Sequence, residues 1–167
     1  FFYSGILLIS SMTLINNLES SKDRSLREHY FIATSYAKDL NALENRDVSI
    51  DSGVESLYRS YFNFYSKQKV ILTISKENKH LYANLTEESY NLPEISENIK
   101  VSERLVSIEK LEDKDYVRVV GTLPAPYDSY TLAYYYNVSD VISSWYKMTV
   151  TLFLIGMLIC GLLAVCL

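Results

Sequence analysis

The feature that most constrains this chain is an uncharged apolar stretch at its end, from Met148 to Leu167, which also lacks Asn, Gln and Pro. As a helix, its ~20 residues would reach roughly 30 Å, the thickness of the hydrocarbon layer of a bilayer. A buried core helix is the alternative, but such helices seldom run this far without a strongly polar residue. The stretch therefore predicts a membrane-spanning helix over residues 148–167.

The residues just before this stretch predict that the helix starts earlier, at the edge of the preceding domain. Neither Gly nor Pro occurs between Ser139 and Gly156. A helix from Ser139 into the membrane would move as one piece. We therefore expect Ser139, Asp140 and Trp145 to relay movement from the domain to the membrane.

The start of the chain predicts a second membrane helix. It reads FFYSGILLISSMTLINNL, with no charge before Glu19, and it lacks the basic start and small-residue cleavage site of a signal peptide. We expect a first span over residues 1–18, with both spans truncated in this sequence. Two spans would place residues 19–147 on one side of the membrane, although charge does not choose the side because the outer flanks are not in hand.

Charge and cysteine usage limit what the middle segment does. All 16 Lys and Arg and all 20 Asp and Glu lie between Glu19 and Lys147, with a net charge of −4. This length suits one domain. Mild acidity argues against a nucleic-acid partner, because phosphate binding needs clustered cations. Both cysteines, Cys160 and Cys166, lie in the apolar stretch, which excludes a disulfide scaffold in the domain.

The first half of the middle segment has helical periodicity. A stripe with a period near 3.5 predicts a long helix that packs on its own sheet or pairs with a second copy in a parallel dimer; it consists of Leu26, Tyr30, Ala33, Ala37 and Leu40. Ser52 and Glu55 fit a capping box. A short helix is predicted after it, with an aromatic face made of Val54, Leu57, Tyr58, Tyr61, Phe62 and Tyr65.

The second half alternates with a period of two, which predicts strands. The five predicted strands are residues 70–75, 80–85, 102–111, 116–123 and 129–138. Polar turns are expected at 76–79 and 112–115, and an irregular segment or short helix at 86–100. The prediction is an α+β domain with a five-stranded antiparallel sheet, covered on one face by the long helix.

No catalytic motif is present in the sequence: it lacks G-x-G-x-x-G, a phosphate-binding Gly loop and H-E-x-x-H. His29 and His80 are the only histidines, and each is either a pH sensor or a packed or solvated side chain. An acidic group in the irregular segment would bind Ca²⁺, Mg²⁺ or a cationic peptide, or form a solvated loop; it comprises Glu87, Glu88, Glu94 and Glu97. We predict no catalytic or metal residues here.

Candidate ligand residues come from one arginine and the unusual tyrosine content. Arg118 is the one basic residue inside the predicted strand 116–123, where it would hold a carboxylate if it faces a pocket and would have no such role if it faces solvent. The chain has 15 tyrosines, which either line an amphipathic pocket or fill the core. The candidate ligand-binding set is Tyr58, Tyr61, Tyr65, Arg118, Tyr134 and Tyr136.

This layout resembles a known family. A membrane helix, a long helix, a short helix, a strand hairpin, a variable segment, three strands and a helix into a second span resemble the extracytoplasmic sensor region of bacterial sensor histidine kinases. The segment YVRVVGTLPAPYDSYTLAYYYNVSDVISSW is similar to the end of such domains in Gram-positive bacteria. The resemblance implies a PAS-like fold, a single Cache domain, and carries over no ligand contact.

The resemblance further implies a receptor in the cell membrane, multi-pass and homodimeric, with residues 19–147 extracellular and an unknown extracellular ligand. A cytoplasmic part after Leu167 would use ATP and Mg²⁺ to phosphorylate a His and pass the phosphate to a response regulator. No cofactor is expected in the segment itself. The alternatives are the same sensor on a chemoreceptor or cyclic-dinucleotide enzyme, a membrane-anchored binding module without output, and an enzyme with its active site in the middle domain.

Overall fold

The structure is a computed structural model that describes residues 2–68, 70–77, 79–83, 92 and 99–166. It divides into two compact units. One unit comprises Phe1–Ser21 with Val138–Leu167, and the other is Lys22–Asn137. We describe each unit by itself.

The elements follow the predicted order. The helices are α1 (Phe2–Glu44), α2 (Ile50–Tyr65), which a 3₁₀ turn at Ser66–Gln68 follows, and α3 (Ser139–Cys166). The strands are β1 (Val70–Lys76), β2 (Lys79–Ala83), β3 (Leu105–Leu111), β4 (Lys114–Thr122) and β5 (Tyr130–Asn137). The α+β class, the long N-terminal helix and the five strands are therefore confirmed.

One antiparallel sheet contains all five strands in the order β2-β1-β5-β4-β3. The last strand, β5, lies in the centre, between β1 and β4. Its register pairs Tyr134 with Leu72 of β1 and with Val119 of β4. The tyrosines of β5 suit a strand, because aromatic residues pack well on a pleated surface.

Helix α1 packs on one face of the sheet, but the predicted stripe is only half right. Ala33, Ala37 and Leu40 are buried, whereas Leu26 and Tyr30 are exposed. A straight helix turns away from a 3.5-residue repeat by roughly 20° per heptad, so the two early positions rotate off the core face. The positions that replace them in the core are Ser25, His29, Ile32 and Tyr36.

Helix α2 lies on the same face of the sheet. Its predicted aromatic face is confirmed: Val54, Tyr58 and Tyr65 are buried, and its other apolar side chains pack partly buried against the core. The predicted capping box is wrong, because the helix begins at Ile50 and Ser49 is its N-cap. Ser49 makes no side-chain capping bond, so local side-chain chemistry does not mark this start.

The two hairpin turns are tighter than predicted. β3 pairs Leu111 with Lys114 of β4, which leaves Glu112 and Asp113 as the whole turn. Glu112 has φ of 53° and Glu77, after β1, has φ of 52°. Two-residue turns of this kind normally carry Asn or Gly at such left-handed positions. Position 112 carries Glu rather than Asn or Gly. The sequence therefore shows no sign of a two-residue turn and predicts a longer one.

The sheet has a different core on each face. The α1 and α2 face contains the larger cluster, to which Leu72, Ile74, Leu132 and Tyr134 contribute from the strands. The opposite face contains a smaller apolar cluster, against which Leu92 and Ile99 pack; its buried members are Ile71, Leu111, Tyr116, Val120, Ala133 and Tyr135. Most of the predicted irregular segment 86–100 lies outside the described residues.

The other unit contains α3 and the first part of α1. Trp145 Nε1 donates a hydrogen bond of 2.8 Å to the Ser10 carbonyl, and the Ser10 and Thr149 hydroxyls are hydrogen-bonded to each other. The Tyr3 and Phe153 rings lie 4.7 Å apart between centroids. These contacts join the two helices within this unit.

The outer surface of this unit is apolar. Ser10 is 1% exposed, whereas large apolar side chains are exposed on both helices; they include Leu7, Leu8, Ile9, Met12 and Ile15 on α1, and Leu154, Ile155, Met157, Leu158, Leu162 and Leu163 on α3. Within the described residues, Ser139–Ala164 is the segment long and apolar enough to cross a membrane, and 6% of its most apolar window is buried. A span over residues 1–18 does not pass the same test and stays a prediction.

Candidate functional site

The predicted ligand residues separate onto the two faces of the sheet. Tyr58, Tyr65 and Tyr134 are buried in the α1 and α2 face, and Tyr61 and Tyr136 pack against that cluster. Arg118 lies on the opposite face, because its register partner in β5 is Tyr135 rather than Tyr134. A residue and its direct cross-strand partner share a face. The six residues therefore do not line one common pocket.

The tyrosines on the α1 and α2 face pack on one another and bond to the domain itself. Tyr58 stacks on Tyr82 at 5.1 Å between ring centroids, and its hydroxyl lies 3.4 Å from the Leu72 carbonyl oxygen. The Tyr61 hydroxyl donates to Asp39 Oδ2 at 3.0 Å. Burial raises the pKa of the Tyr58 hydroxyl above its usual range. This geometry favours the core-filling alternative over a ligand-lining one.

Two more tyrosines join the edges of this face through charged partners. The Tyr136 ring lies 5.4 Å from Arg24 Cζ, a cation–π contact. The Tyr130 hydroxyl donates to Asp51 Oδ1 at 2.6 Å, and Lys76 Nζ lies 3.5 Å from the same oxygen. These contacts tie α1 and α2 to the strands.

Arg118 lies within a polar group on the opposite face. It is 4% exposed, and its Nη1 lies 3.8 Å from Glu109 Oε1 on β3. Ser107, its cross-strand neighbour, donates to the same Glu109 oxygen at 3.0 Å. The solvent-facing alternative for Arg118 is excluded. Arg118 is thus paired with a carboxylate of the domain itself.

The same face carries further polar side chains on β1 and β2. Ser75 Oγ and His80 Nδ1 are 2.9 Å apart, and Thr73 is buried on the same side of β1. His80 is therefore a packed, hydrogen-bonded residue. Thr131 of β5 is the register partner of Ser75, so polar side chains from all five strands make this the chemically richer face of the sheet.

His29, the other histidine, is buried against the central strand. Its Nε2 lies 2.9 Å from the Leu132 carbonyl oxygen. The pKa of His29 is lowered to about 4, chiefly by burial; the bond to Leu132 opposes this effect and the charge of Arg104 adds to it. The ring is therefore neutral at physiological pH.

The predicted relay residues lie in the unit formed by α3 and the start of α1. Ser139 is the first residue of α3, and Asp140 lies in its first turn, where a negative charge suits the helix dipole. Asp140 and Trp145 line a groove of about 560 Å³; its other walls are Thr13, Asn17, Ser20, Ser21, Val141, Ser144 and Met148. Sequence reasoning missed the α1 partners, because nothing in the sequence pairs Ser10 with Trp145.

No metal centre is formed by the part of the chain that the structure describes, since no three His, Cys, Asp or Glu side chains converge there. The acidic group Glu87, Glu88, Glu94 and Glu97 lies outside the described residues. The structure therefore leaves the cation-binding and solvated-loop alternatives for that group untested.

Comparison with known proteins adds no assignment: no family model, curated protein or solved structure matches this chain. Two features of the molecule described above bear on its function. One is a buried polar group on a sheet face, and the other is an apolar helix that follows the central strand directly.

Proposed function

We propose that this chain is the sensing and transmembrane-signalling part of a bacterial sensor histidine kinase, with a PAS-like single Cache domain between two membrane spans. The observation that carries the proposal is the connection between β5 and α3. The central strand ends at Asn137, and α3 begins at Ser139 and continues to Cys166. Val138, between them, is buried, and its carbonyl accepts the Ile142 N–H at 3.1 Å.

The first part of α1 supports a second span by the distribution of its side chains. In water, apolar side chains such as Leu8 and Ile9 would be buried and hydroxyls exposed. Here Ser10 is buried against α3 while its apolar neighbours Leu8 and Ile9 are exposed. Hydroxyl contacts between helices are typical of membrane helix pairs and contribute roughly 0.6–2 kcal/mol each.

The proposed mechanism begins on the polar sheet face around Arg118. A ligand there would shift β4 and its neighbour β5, and β5 continues into α3. Packed helices switch between discrete arrangements, so a small displacement of α3 suffices to reach the far side of the bilayer. In the proposed whole protein, a homodimer, the movement would control a cytoplasmic kinase that uses ATP and Mg²⁺ and passes phosphate to a response regulator.

A chimera tests the relay. The chain is fused after Leu167 to the cytoplasmic part of a reporter sensor kinase, and one to four alanines are inserted after Lys147. Kinase activity should oscillate with the helical period of about 3.6 residues, because each insertion rotates the domain relative to the span. The same insertions in the β3–β4 turn, after Glu112, serve as the control and should give no oscillation.

Two double substitutions in α3 test whether the relay depends on a stiff helix. Replacing both Ser143 and Ser144 with Gly should damp the oscillation, since each interior Gly costs a helix about 1 kcal/mol. Replacing both with Ala should preserve it. A flat response in all insertions would contradict the relay and favour an anchored binding module.

The coding sequence that follows Leu167 distinguishes a kinase from the alternative receptors, a chemoreceptor and a cyclic-dinucleotide enzyme. A phosphoacceptor-His helix and an ATP-binding domain are expected there. A methyl-accepting helix or a cyclase domain would keep the sensor and overturn the kinase assignment.

A further inference from the structure

A groove between α1 and the edge strand β3 is separate from the Arg118 group. Its volume is about 540 Å³, within the range of small-molecule sites, ~300–1,000 Å³. Its lining residues are Leu26, Arg27, Tyr30, Ser102, Arg104 and Val106. All of them belong to the Lys22–Asn137 unit. The groove therefore depends on neither the membrane helices nor the proposed signalling.

Arg104 packs in this groove because Gly121 of the neighbouring strand has no side chain. A Cβ added to Gly121 of β4 would lie 2.3 Å from Arg104 Cδ and 2.7 Å from Nε, so glycine leaves the space that the Arg104 stem occupies. Arg104 Nη1 donates to the Glu103 carbonyl at 2.8 Å. The side chain is thus fixed against the sheet rather than extended into solvent.

The guanidinium of Arg104 has spare hydrogen-bonding capacity. Its Nε is buried without a hydrogen-bond partner among the described residues. Burial lowers the pKa of Arg104, which reflects the cost of keeping this charge away from water. An anion in the groove would offset that cost.

A second cation lies at the same groove without an acidic partner. Within the described ranges, neither Arg27 nor Arg104 forms an ion pair, and the nearby Glu103 carboxylate lies 3.9 Å from Lys100 Nζ. Two guanidinium groups at one cavity favour a negatively charged occupant.

Apart from Ser102, the remaining lining residues are apolar or aromatic. Leu26 is 36% exposed and Tyr30 is 63% exposed, and Val106 is also exposed. Leu26 and Tyr30 are the first two positions of the predicted helical stripe, and neither is part of the buried core. Lys, which commonly holds phosphate as a point charge, is absent from these six lining residues.

We propose that this groove binds a small amphiphilic carboxylate, with the carboxylate at Arg27 and Arg104 and the apolar body against Leu26, Tyr30 and Val106. Two parallel hydrogen bonds from one guanidinium match the carboxylate geometry. An aromatic or short alkyl body would cover the exposed side chains.

The test is ¹⁹F NMR of 4-(trifluoromethyl)phenylacetate with the full chain in phosphatidylcholine nanodiscs, corrected with empty nanodiscs. We expect saturable binding, with much weaker binding of its neutral amide and of trifluoroacetate, which lacks the apolar body. Arg104→Gln and Arg27→Gln should each weaken binding about tenfold, the scale of one charged hydrogen bond. Arg59→Gln is the charge-matched control, since Arg59 lies on α2 and pairs with Glu55.

Two further variants protect the test against misfolding. Arg27 is exposed and its replacement should leave the circular dichroism unchanged. Gly121→Ala should displace Arg104 and weaken probe binding while both arginines remain. The proposal is overturned if the probe does not bind, if the amide binds equally well, or if Arg59→Gln weakens binding as much as the groove variants.

Discussion

His29 is a buried base whose protonation opposes folding. Its folded pKa is about 4, against 6.5 for an unperturbed His. Between these values the unfolded chain binds more protons, so stability falls as the pH drops from 6.5 to 4, by roughly 3 kcal/mol in total. Above pH 6.5 both states are neutral and the contribution disappears. Hydrogen exchange of the β5 amides in nanodiscs should show this loss.

A His29→Gln variant gives the matched comparison, because Gln offers Leu132 an N–H donor that does not titrate. Its stability should change less over pH 6.5 to 4 than that of the parent chain. Identical pH profiles for the two chains would contradict the buried, neutral state of His29.

Tyr58 tests whether the aromatic face of α2 is core or pocket. Its ring is buried against Tyr82 and Phe62, and its hydroxyl makes only a long bond to Leu72. Tyr58→Phe should therefore cost no more than about 1 kcal/mol, whereas Tyr58→Ala should cost about 3–5 kcal/mol through the cavity that it leaves. Urea unfolding followed by near-UV circular dichroism measures both. Equal, small losses would point instead to an open pocket.

Among the elements, periodicity predicted the order of helices and strands, and the strand bounds differ by a few residues. It was harder to predict which side chains of different strands lie on the same face of the sheet. Arg118 and Tyr134 fall on opposite faces because β4 pairs Arg118 with Tyr135, and this register is set by tertiary packing rather than by either strand alone. The start of α2 and the two-residue turn at Glu112 carry no local signal. The Arg104 groove depends on Gly121, whose role appears only in three dimensions.

The contact between α1 and α3 is testable by cross-linking. Ser10→Cys and Thr149→Cys, in a chain with Cys160 and Cys166 replaced by Ala, should form a disulfide readily, since the native hydroxyls are in contact. A protease site in the β3–β4 turn reveals the link, because the fragments stay joined until reduction. Ser10→Cys with Leu158→Cys is the control, since Leu158 is exposed on α3. Equal disulfide formation in both pairs would contradict the contact between Ser10 of α1 and Thr149 of α3.

The whole molecule combines an α+β domain with a pair of helices on which many large apolar side chains are exposed. The distribution of charge agrees with this division, because every charged residue lies between Glu19 and Lys147. The proposed receptor function requires that the exposed apolar surface of α1 and α3 faces lipid and that the domain faces outward.

Labelling with a membrane-impermeant maleimide in intact Gram-positive cells tests this requirement most directly. Single cysteines are placed at Asp113, Leu8 and Leu158 in the cysteine-free chain. All three positions are exposed in the fold, so the chain itself does not shield the latter two from the reagent. We predict that Asp113→Cys is labelled in intact cells and that Leu8→Cys and Leu158→Cys stay unlabelled even in opened membranes. Labelling of Leu8→Cys or Leu158→Cys, or labelling of Asp113→Cys only after lysis, would contradict the account.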